Sequence, residues 1–482
     1  MKITFLIPPA LDNKRVPERV FGCTYGLYPI PNIFILQYAG ILRNSGNQVN
    51  VLDGPITGIS GKDFLDFLKK DESDVYIFYS VNLSADLDTR VGKTIRKLHK
   101  NVPLIYCGPA AGVYREKFLF DNNIYVVRGE ADYALNDLIS FLNGTINCNL
   151  NDIKGITYIK NEKPFSTPTR DLIENLDELP FPARDLVNRD LYYNPKLKIR
   201  PFTAVMTSRG CPYRCEYCVP SSLTFARKLE YQKEKGYDKI PRVTFRSAKN
   251  VIEEFKILKK EGYRAVSIID DEFALKKERT KEICKGIKDL EIKWGCLARA
   301  DHLLDEELVR LLKEAGCQYV DIGIESFNQK ILDDIKKDIK VETFYKAVNI
   351  LKKYGVEPKL NILIAASSLE TKDTAKRTIS EALKLNPGVN MFNICNPFPG
   401  TEFYREAKKN KWFIHGDYLP VDVQKQSIIE YPNLKKHDIE RMVKIANIKT
   451  FFRFSFIFRN LKKFVSIREL KYALISLFKK LS

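Results

Sequence analysis

Apolar, β-branched runs alternate with stretches of helical spacing twice along this chain, and that alternation is its tightest structural constraint. Between residues 1 and 145 the runs Ile3–Ile7, Val49–Leu52, Val75–Tyr79, Leu104–Cys107 and Ile124–Val127 predict strands. Ile33–Arg43, Phe64–Lys69, Val91–His99 and Tyr133–Phe141 carry the helical spacing between them. Strands joined in this way cross over right-handedly, so the expected class is α/β with a parallel, doubly wound sheet. Ligands of such sheets bind beyond the carboxyl ends of the strands. Those ends carry Pro8-Pro9, Asp53-Gly54, Ser80-Val81-Asn82, Gly108-Pro109-Ala110 and Arg128-Gly129-Glu130, where recurring small residues and turn formers let a ligand approach the backbone closely.

Residues 146–200 read as a connector. Gly155–Ile159 and Pro164–Thr167 suit a small hairpin, and the prolines of Leu176-Asp-Glu-Leu-Pro-Phe-Pro bar a helix through that phrase. A second series spans 201–410. Its predicted strands are Phe202–Thr207, Ala265–Ile269, Lys293–Leu297, Tyr319–Gly323, Lys359–Ile364 and Asn390–Ile394. Its predicted helices are Val251–Glu261, Lys277–Lys288, Glu306–Ala315, Val341–Tyr354 and Ala375–Leu385. Six βα units are too few for a closed eight-stranded barrel. Ser221–Arg242, rich in Lys, Tyr and Glu, reads as an insertion after the first strand, and residues 411–482 as a basic helical extension.

Polar residues recur on the rim of this second series, where α/β barrels place their chemistry. Asp270 and Asp271 end the second strand, Arg299 the third, and Glu325 and Ser326 the fourth. After the first strand comes Ser208-Arg-Gly-Cys-Pro-Tyr-Arg-Cys-Glu-Tyr-Cys218. Three thiolates at this spacing fit one tight loop and can hold three irons of a 4Fe–4S cube, leaving the fourth iron open to an outside ligand. A structural zinc loop would need a fourth ligand, and no second Cys or His pair lies nearby. The other seven cysteines are scattered, which argues for free thiols in a reducing compartment rather than a disulfide framework.

The cysteine loop and its surroundings resemble the radical SAM superfamily, and the upstream segment resembles the cobalamin-binding domain that precedes the barrel in many of its members. The early Pro-Pro, the Leu42…Gly46…Val49…Asp53 run, Cys107-Gly-Pro and Arg128-Gly-Glu-Ala-Asp carry the second resemblance, and Leu176-Asp-Glu-Leu-Pro-Phe-Pro matches the phrase linking the two domains. The resemblance implies a Rossmann- or flavodoxin-like cobalamin-binding domain, a partial (β/α)6 TIM-type barrel and a C-terminal helical extension. It implies a 4Fe–4S cluster on Cys211, Cys215 and Cys218, S-adenosylmethionine, and cobalamin held near Pro8, Pro9, Asp53, Gly54, Ser80, Val81, Gly108, Pro109, Gly129 and Glu130. It implies S-adenosylmethionine contacts at Tyr217, Asp270, Asp271, Arg299, Glu325 and Ser326: Arg299 as a fork for the methionine carboxylate, the acids as acceptors for ammonium and ribose. The Gly-rich turn that relatives place after the fifth strand reads Ile364-Ala-Ala-Ser-Ser-Leu-Glu here. Asp53 is followed by Gly-Pro-Ile, without the histidine that ligates cobalt elsewhere.

The activity implied is reductive cleavage of S-adenosylmethionine to a 5′-deoxyadenosyl radical that activates an unreactive C–H bond. Methyl transfer from cobalamin, or ring or C–C bond formation, follows on an apolar lipid-like, tetrapyrrole-like or natural-product substrate. A low-potential electron donor of the flavodoxin or ferredoxin type is the expected partner. A net charge of +19 also suits a nucleic-acid modifier, but Cys23, Cys107 and Cys148 lack the second cluster motif of tRNA methylthiotransferases, so nucleic acid is not the expected partner. A non-catalytic cobalamin or iron–sulfur sensor would need an output domain, and none is visible. No apolar run spans a bilayer and the N-terminus reads as a strand rather than a signal peptide, which predicts a cytoplasmic protein. The tail, with Phe451-Phe-Arg-Phe-Ser-Phe-Ile-Phe-Arg, Leu461-Lys-Lys-Phe and Leu470–Phe478, interleaves cations with aromatic residues. It fits either a peripheral contact with an anionic membrane or a helical cap on the barrel.

Overall fold

The computed structural model describes residues 1–11, 16–25 and 28–453. Two compact units divide the chain. The first comprises Met1–Tyr213, Val219–Leu297 and Glu314–Gly316; the second comprises Arg214–Cys218, Ala298–Lys313 and the chain from Cys317 onward.

The first unit opens with β1 (Lys2–Ile7), β2 (Gln48–Asp53), β3 (Val75–Tyr79), β4 (Leu104–Cys107) and β5 (Ile124–Val127), all parallel. β3, β4 and β5 are buried along their whole length, as strands covered by helices on both faces must be. β2 alternates exposed Gln48 and Asn50 with buried Val49, the pattern of an edge. The helix Ile33–Asn44 starts at Asn32, whose side chain accepts from the amides of Phe34 and Ile35, both at 3.2 Å. The predicted hairpin forms as β6 (Ile156–Lys160) and β7 (Lys163–Ser166), and it continues the first sheet instead of standing alone in the connector. β6 pairs antiparallel with β5, giving the order β2-β1-β3-β4-β5-β6-β7. Pro164 sits in β7, at the exposed edge, where a missing N–H costs no ladder bond. The direction of winding reverses between β1 and β3, which opens the crevice where ligands of such sheets bind.

The same unit holds β8 (Phe202–Val205), β9 (Ser208–Arg209), β10 (Thr244–Phe245), β11 (Ala265–Ile268) and β12 (Lys293–Leu297). β11 pairs parallel with β8 and with β12. β9 and β10 pair antiparallel through Arg209↔Thr244 and Ser208↔Phe245, closing the base of the predicted insertion. The insertion is a helix, Ser222–Lys235. It packs on the short helix Pro109–Val113, so it serves the first domain's edge rather than projecting as a loop.

The second unit carries β13 (Cys317–Glu325), β14 (Glu357–Ile364) and β15 (Val389–Ile394), parallel in that order. Helix Lys436–Phe451 packs on β15 and buries Ile439, Val443, Ala446 and Thr450. Asn447 Nδ2 donates to the Phe392 carbonyl at 3.0 Å. This first part of the extension is a cap; the aromatic and basic run from Phe454, with Leu461-Lys-Lys-Phe and Leu470–Phe478, lies outside the described residues. Among the described residues no helix is long and apolar enough to cross a membrane.

Candidate functional site

In the first unit, the stem of the cysteine loop is held from two sides. Asp270, at the end of β11, accepts from the Thr207 amide at 2.5 Å, the Thr207 hydroxyl at 2.5 Å and the Ser208 hydroxyl at 2.7 Å. Burial raises its pKa, and these donors pull against the rise. Asp270 is thereby committed to tying the segment from Thr207 into β9 to the end of β11. On the other side, Arg209 is 1% exposed and forks onto Asp132, both bonds 2.9 Å, with Glu130 at 3.2 Å. Burial alone would lower the guanidinium, but the two carboxylates outweigh it and hold it above its ordinary value. Arg128 in turn reaches Glu230 of the helix Ser222–Lys235 and the Thr167 carbonyl. The charges of Arg128-Gly-Glu-Ala-Asp132 therefore brace the cysteine loop and its insertion. Sequence spacing could not show this, because Arg209 meets its acids 77 and 79 residues away.

Asp271 differs from its neighbour. One oxygen accepts from the Ser221 amide at 2.6 Å; the other, Oδ2, is buried with no hydrogen-bond partner. Burial pushes its pKa up to about 6. A buried oxygen without a donor is costly unless a ligand supplies one, which fits an acceptor for a ribose hydroxyl or ammonium.

Along the carboxyl edge of the first sheet, most of the expected cofactor residues are engaged by the protein itself. Pro8 and Pro9 are buried, and a Cβ on Gly54 would lie 2.7 Å from Pro9 Cδ. Asp53 accepts from the Tyr192 hydroxyl at 3.1 Å, and burial pushes its pKa up to about 6. Ser80 donates to Asp88 at 2.7 Å, beside the bidentate Arg19–Asp88 pair. Val81 is covered by Gly22, where a Cβ would come within 2.9 Å of it. Gly108 (φ 89°) leaves no room for a Cβ against the Ser80 carbonyl, 2.7 Å away. Pro109 begins the short helix covered by Leu229, and Gly129 packs on Glu230. Asn82, just past β3, is the exception. It is 7% exposed, and neither its Oδ1 nor its Nδ2 has a partner. The Tyr38 hydroxyl is likewise buried and unpartnered. An amide that offers both a donor and an acceptor at the β1/β3 reversal fits a ligand edged with carboxamides, which is the periphery of cobalamin. His99, the one histidine in this unit's sequence, bonds the Leu68 carbonyl at 2.7 Å.

In the second unit, the segment with Cys215 and Cys218 is clamped at Glu216. Its amide donates to the Ile335 carbonyl at 3.3 Å, its carbonyl accepts from Phe403 N at 3.2 Å, and its carboxylate takes Lys336 at 2.6 Å. The Cys218 amide turns back onto the Cys215 carbonyl at 3.2 Å. Tyr217 hydrogen-bonds Glu325, and burial pushes its phenol well above the ordinary range. Glu325 also accepts from Lys337 Nζ at 2.8 Å. Four of the five N–H groups of Arg299 are taken by its own chain: Asp301 takes Nε and Nη2 at 3.1 Å each, and the carbonyls of Lys337 and Asp338 take Nη1 and Nη2 at 2.9 and 3.2 Å. Ser326 shares a hydrogen bond with Thr378 at 3.2 Å and caps Asn328, a packing role. Lys337, which no motif flags, is the buried cation beside Glu325.

All ten cysteines are unbridged, and Cys211, Cys215 and Cys218 offer the soft thiolate donors an iron–sulfur cluster takes. Among the described residues no three His, Cys, Asp or Glu side chains converge on a single-ion site; in a cube each thiolate takes its own iron.

A radical SAM superfamily model matches residues 205–382. An uncharacterized methyltransferase of Pyrococcus horikoshii is 30% identical over 462 residues, which is 94% of this chain and 93% of that protein. The anaerobic magnesium-protoporphyrin IX monomethyl ester cyclase of Rubrivivax gelatinosus is 27% identical over 58% of this chain and 48% of the cyclase, about half of that relative's length. Among solved structures, the radical S-adenosylmethionine methyltransferase TsrM from Kitasatospora setae, with cobalamin and a 4Fe–4S cluster bound, is similar at TM-score 0.64. That match covers 86% of this chain and 75% of TsrM at 17% identity, a likeness of fold. It is the near full-length match to the Pyrococcus protein, together with the superfamily match over the cysteine loop and the strands after it, that places the molecule: this chain belongs to the radical SAM superfamily.

Proposed function

We propose that this chain is a cobalamin-dependent radical SAM methyltransferase for a large apolar substrate of lipid or tetrapyrrole type. The observation that carries the cobalamin reading is Asn82, whose buried amide lacks partners at both ends where a doubly wound sheet takes its ligand. The near full-length match to a methyltransferase supports methyl transfer, and the cyclase relative and TsrM support the wider class. When bound, the cluster and S-adenosylmethionine supply the oxidising equivalent that activates an unreactive C–H bond, and cobalamin supplies the methyl group.

The chain's own residues bind and orient. Cys211, Cys215 and Cys218 hold the cluster, and Glu216 and Lys336 fix the segment that carries two of them. Asp271 offers its unpartnered oxygen to the nucleotide. Tyr217, whose phenol burial holds well above the ordinary range, donates to Glu325. His99 is engaged with the Leu68 carbonyl and would not be a ligand for a cofactor's metal. The same reading includes a flavodoxin- or ferredoxin-type reductant. It includes docking of the basic aromatic tail on an anionic membrane from the cytoplasmic side, which liposome flotation against a chain ending at Ala446 tests.

The test is to reconstitute the protein anaerobically with cobalamin, supply S-adenosylmethionine carrying a trideuterated methyl group, and analyse lipid and pigment extracts of a deletion strain by mass spectrometry. A product gaining the labelled methyl is expected, with cobalamin retained base-off. Formation of 5′-deoxyadenosine with no labelled product and no retained cobalamin would reject methyl transfer.

A further inference from the structure

The last two strands of the second unit have two unlike faces. Leu360, Ile362 and Ile364 of β14 and Phe392 and Ile394 of β15 are at most 1% exposed, and helices Val341–Lys353 and Lys436–Phe451 pack on these strands. The alternate residues Asn361, Leu363, Met391 and Asn393 are only half-buried. Successive side chains of a strand point to opposite faces, so these four share the face turned away from the buried one.

Register sorts that face into rows. Asp321, Lys359 and Val389 lie side by side nearer the amino ends. Lys359, 6% exposed, stands 4.8 Å over the Tyr319 ring, so this row is a closed floor. Above it Asn361 pairs with Met391, and above that Leu363 pairs with Asn393. These two open rows lie toward the carboxyl ends, where α/β barrels place their chemistry. Two apolar side chains and two amides line them, the composition of a seat for a small molecule: mostly apolar, with a few placed polar groups. Asn393 Oδ1 is buried with no hydrogen-bond partner. An acceptor kept dry and unanswered costs stability, and a position that only needed filling would be better served by leucine. A ligand that brings a donor offsets that cost.

We propose that this half-open face of β14 and β15 seats the substrate, with Leu363 and Met391 against an apolar skeleton and Asn393 accepting a hydrogen bond from a hydroxyl or N–H group on it. Asn393 is a specificity-determining residue: it orients the skeleton by its one polar handle. The substrate class narrows to apolar molecules that carry a donor, from a hydroxylated lipid to a pyrrole N–H. This assignment rests on the methyltransferase reading proposed above.

The test supplies the anaerobically reconstituted full chain with S-adenosylmethionine carrying a trideuterated methyl group and with limiting lipid or pigment extract of a deletion strain, in separate arms. In the arm that yields product, Asn393→Leu should lower it by roughly 10- to 100-fold, the worth of a donor left unpaired in an apolar seat. S-adenosylmethionine binding, read by equilibrium dialysis, should be unchanged. Asn393→Asp, which keeps an acceptor of the same shape, should recover much of the yield. Leu363→Phe, which crowds the seat without touching the amide, should lower it. Asn393→Leu should also melt at or above the wild-type temperature, since nothing in the folded chain pairs with Oδ1. Full yield in Asn393→Leu overturns the proposal. So does a parallel loss of S-adenosylmethionine binding, which would give Asn393 to the nucleotide, or a lower melting temperature, which would make it structural. A wild-type chain that labels neither extract rejects the methyltransferase reading instead, and the melting comparison, which needs no substrate, still decides whether Oδ1 is held in reserve.

Discussion

Glu370 follows β14, where the chain departs from the Gly-rich turn of its relatives, and it predicts an unusual pH dependence of stability. The carboxyl is fully buried. One oxygen accepts the amides of Ala365 and Ala366, while Oε1 has no partner. Ala365 takes a left-handed φ of 66°, and its carbonyl is held by the Tyr431 hydroxyl at 3.0 Å. A carboxyl group thus caps a turn that glycine would otherwise make. Burial pushes its pKa from 4.5 to about 8. A raised folded-state pKa contributes stability that is fully present below pH 4.5 and is lost as pH rises through 8. At about 1.36 kcal/mol per unit, the loss across that window reaches at most about 5 kcal/mol. Glu370→Gln keeps an acceptor for both amides and cannot ionise. Thermal unfolding of the anaerobic protein and the variant between pH 4.5 and 8.5 is the assay. Wild type should lose stability steadily, and the variant should decline less and overtake it near pH 8. Asp53 and Asp271, also raised, titrate in both proteins and cancel in the difference. Parallel profiles would mean that Glu370 does not ionise across this range in the folded chain.

Arg209→Met should strand Asp132 as a buried unpaired acid, while Glu130 keeps the Ile173 amide and Arg227, and cost about 3–5 kcal/mol by chemical denaturation; a change below about 1 kcal/mol would show that the pair carries little of the fold. Asn82→Leu should weaken cobalamin retention several-fold in equilibrium dialysis while leaving the melting temperature equal or higher, since an unpaired buried amide is exchanged for an apolar side chain. Unchanged retention would remove Asn82 from the site.

The strands of both series were legible because parallel strands covered on two faces must be apolar throughout, as β3, β4 and β5 are. What pairs with what was less legible. The hairpin β6–β7 could be placed in sequence but not on β5, because a short two-stranded segment does not encode its neighbour. Helix Ser222–Lys235 read as an insertion because its burial depends on Pro109–Val113 and Glu230's partner Arg128, more than a hundred residues earlier in the chain. The rim acids were visible as polar ends of apolar strands, yet Asp270 and Asp271 divide sharply: one has three donors and the other an empty oxygen. Arg299 stood out for its fork, but Asp301, two residues on, fills it. Lys337 gave no signal, since a lysine in a Lys-Lys-Asp turn reads as solvated until Gly323 and Glu325 are seen to enclose it.

Whether the cysteine loop holds a cluster that meets S-adenosylmethionine is read by electron paramagnetic resonance of the dithionite-reduced, anaerobically purified protein, with and without S-adenosylmethionine. A reduced 4Fe–4S signal should shift on adding S-adenosylmethionine, accompanied by 5′-deoxyadenosine, with signal and product both lost in Cys215→Ala. A colourless protein holding zinc at Cys211, Cys215 and Cys218, or a cluster signal indifferent to S-adenosylmethionine, would contradict this assignment.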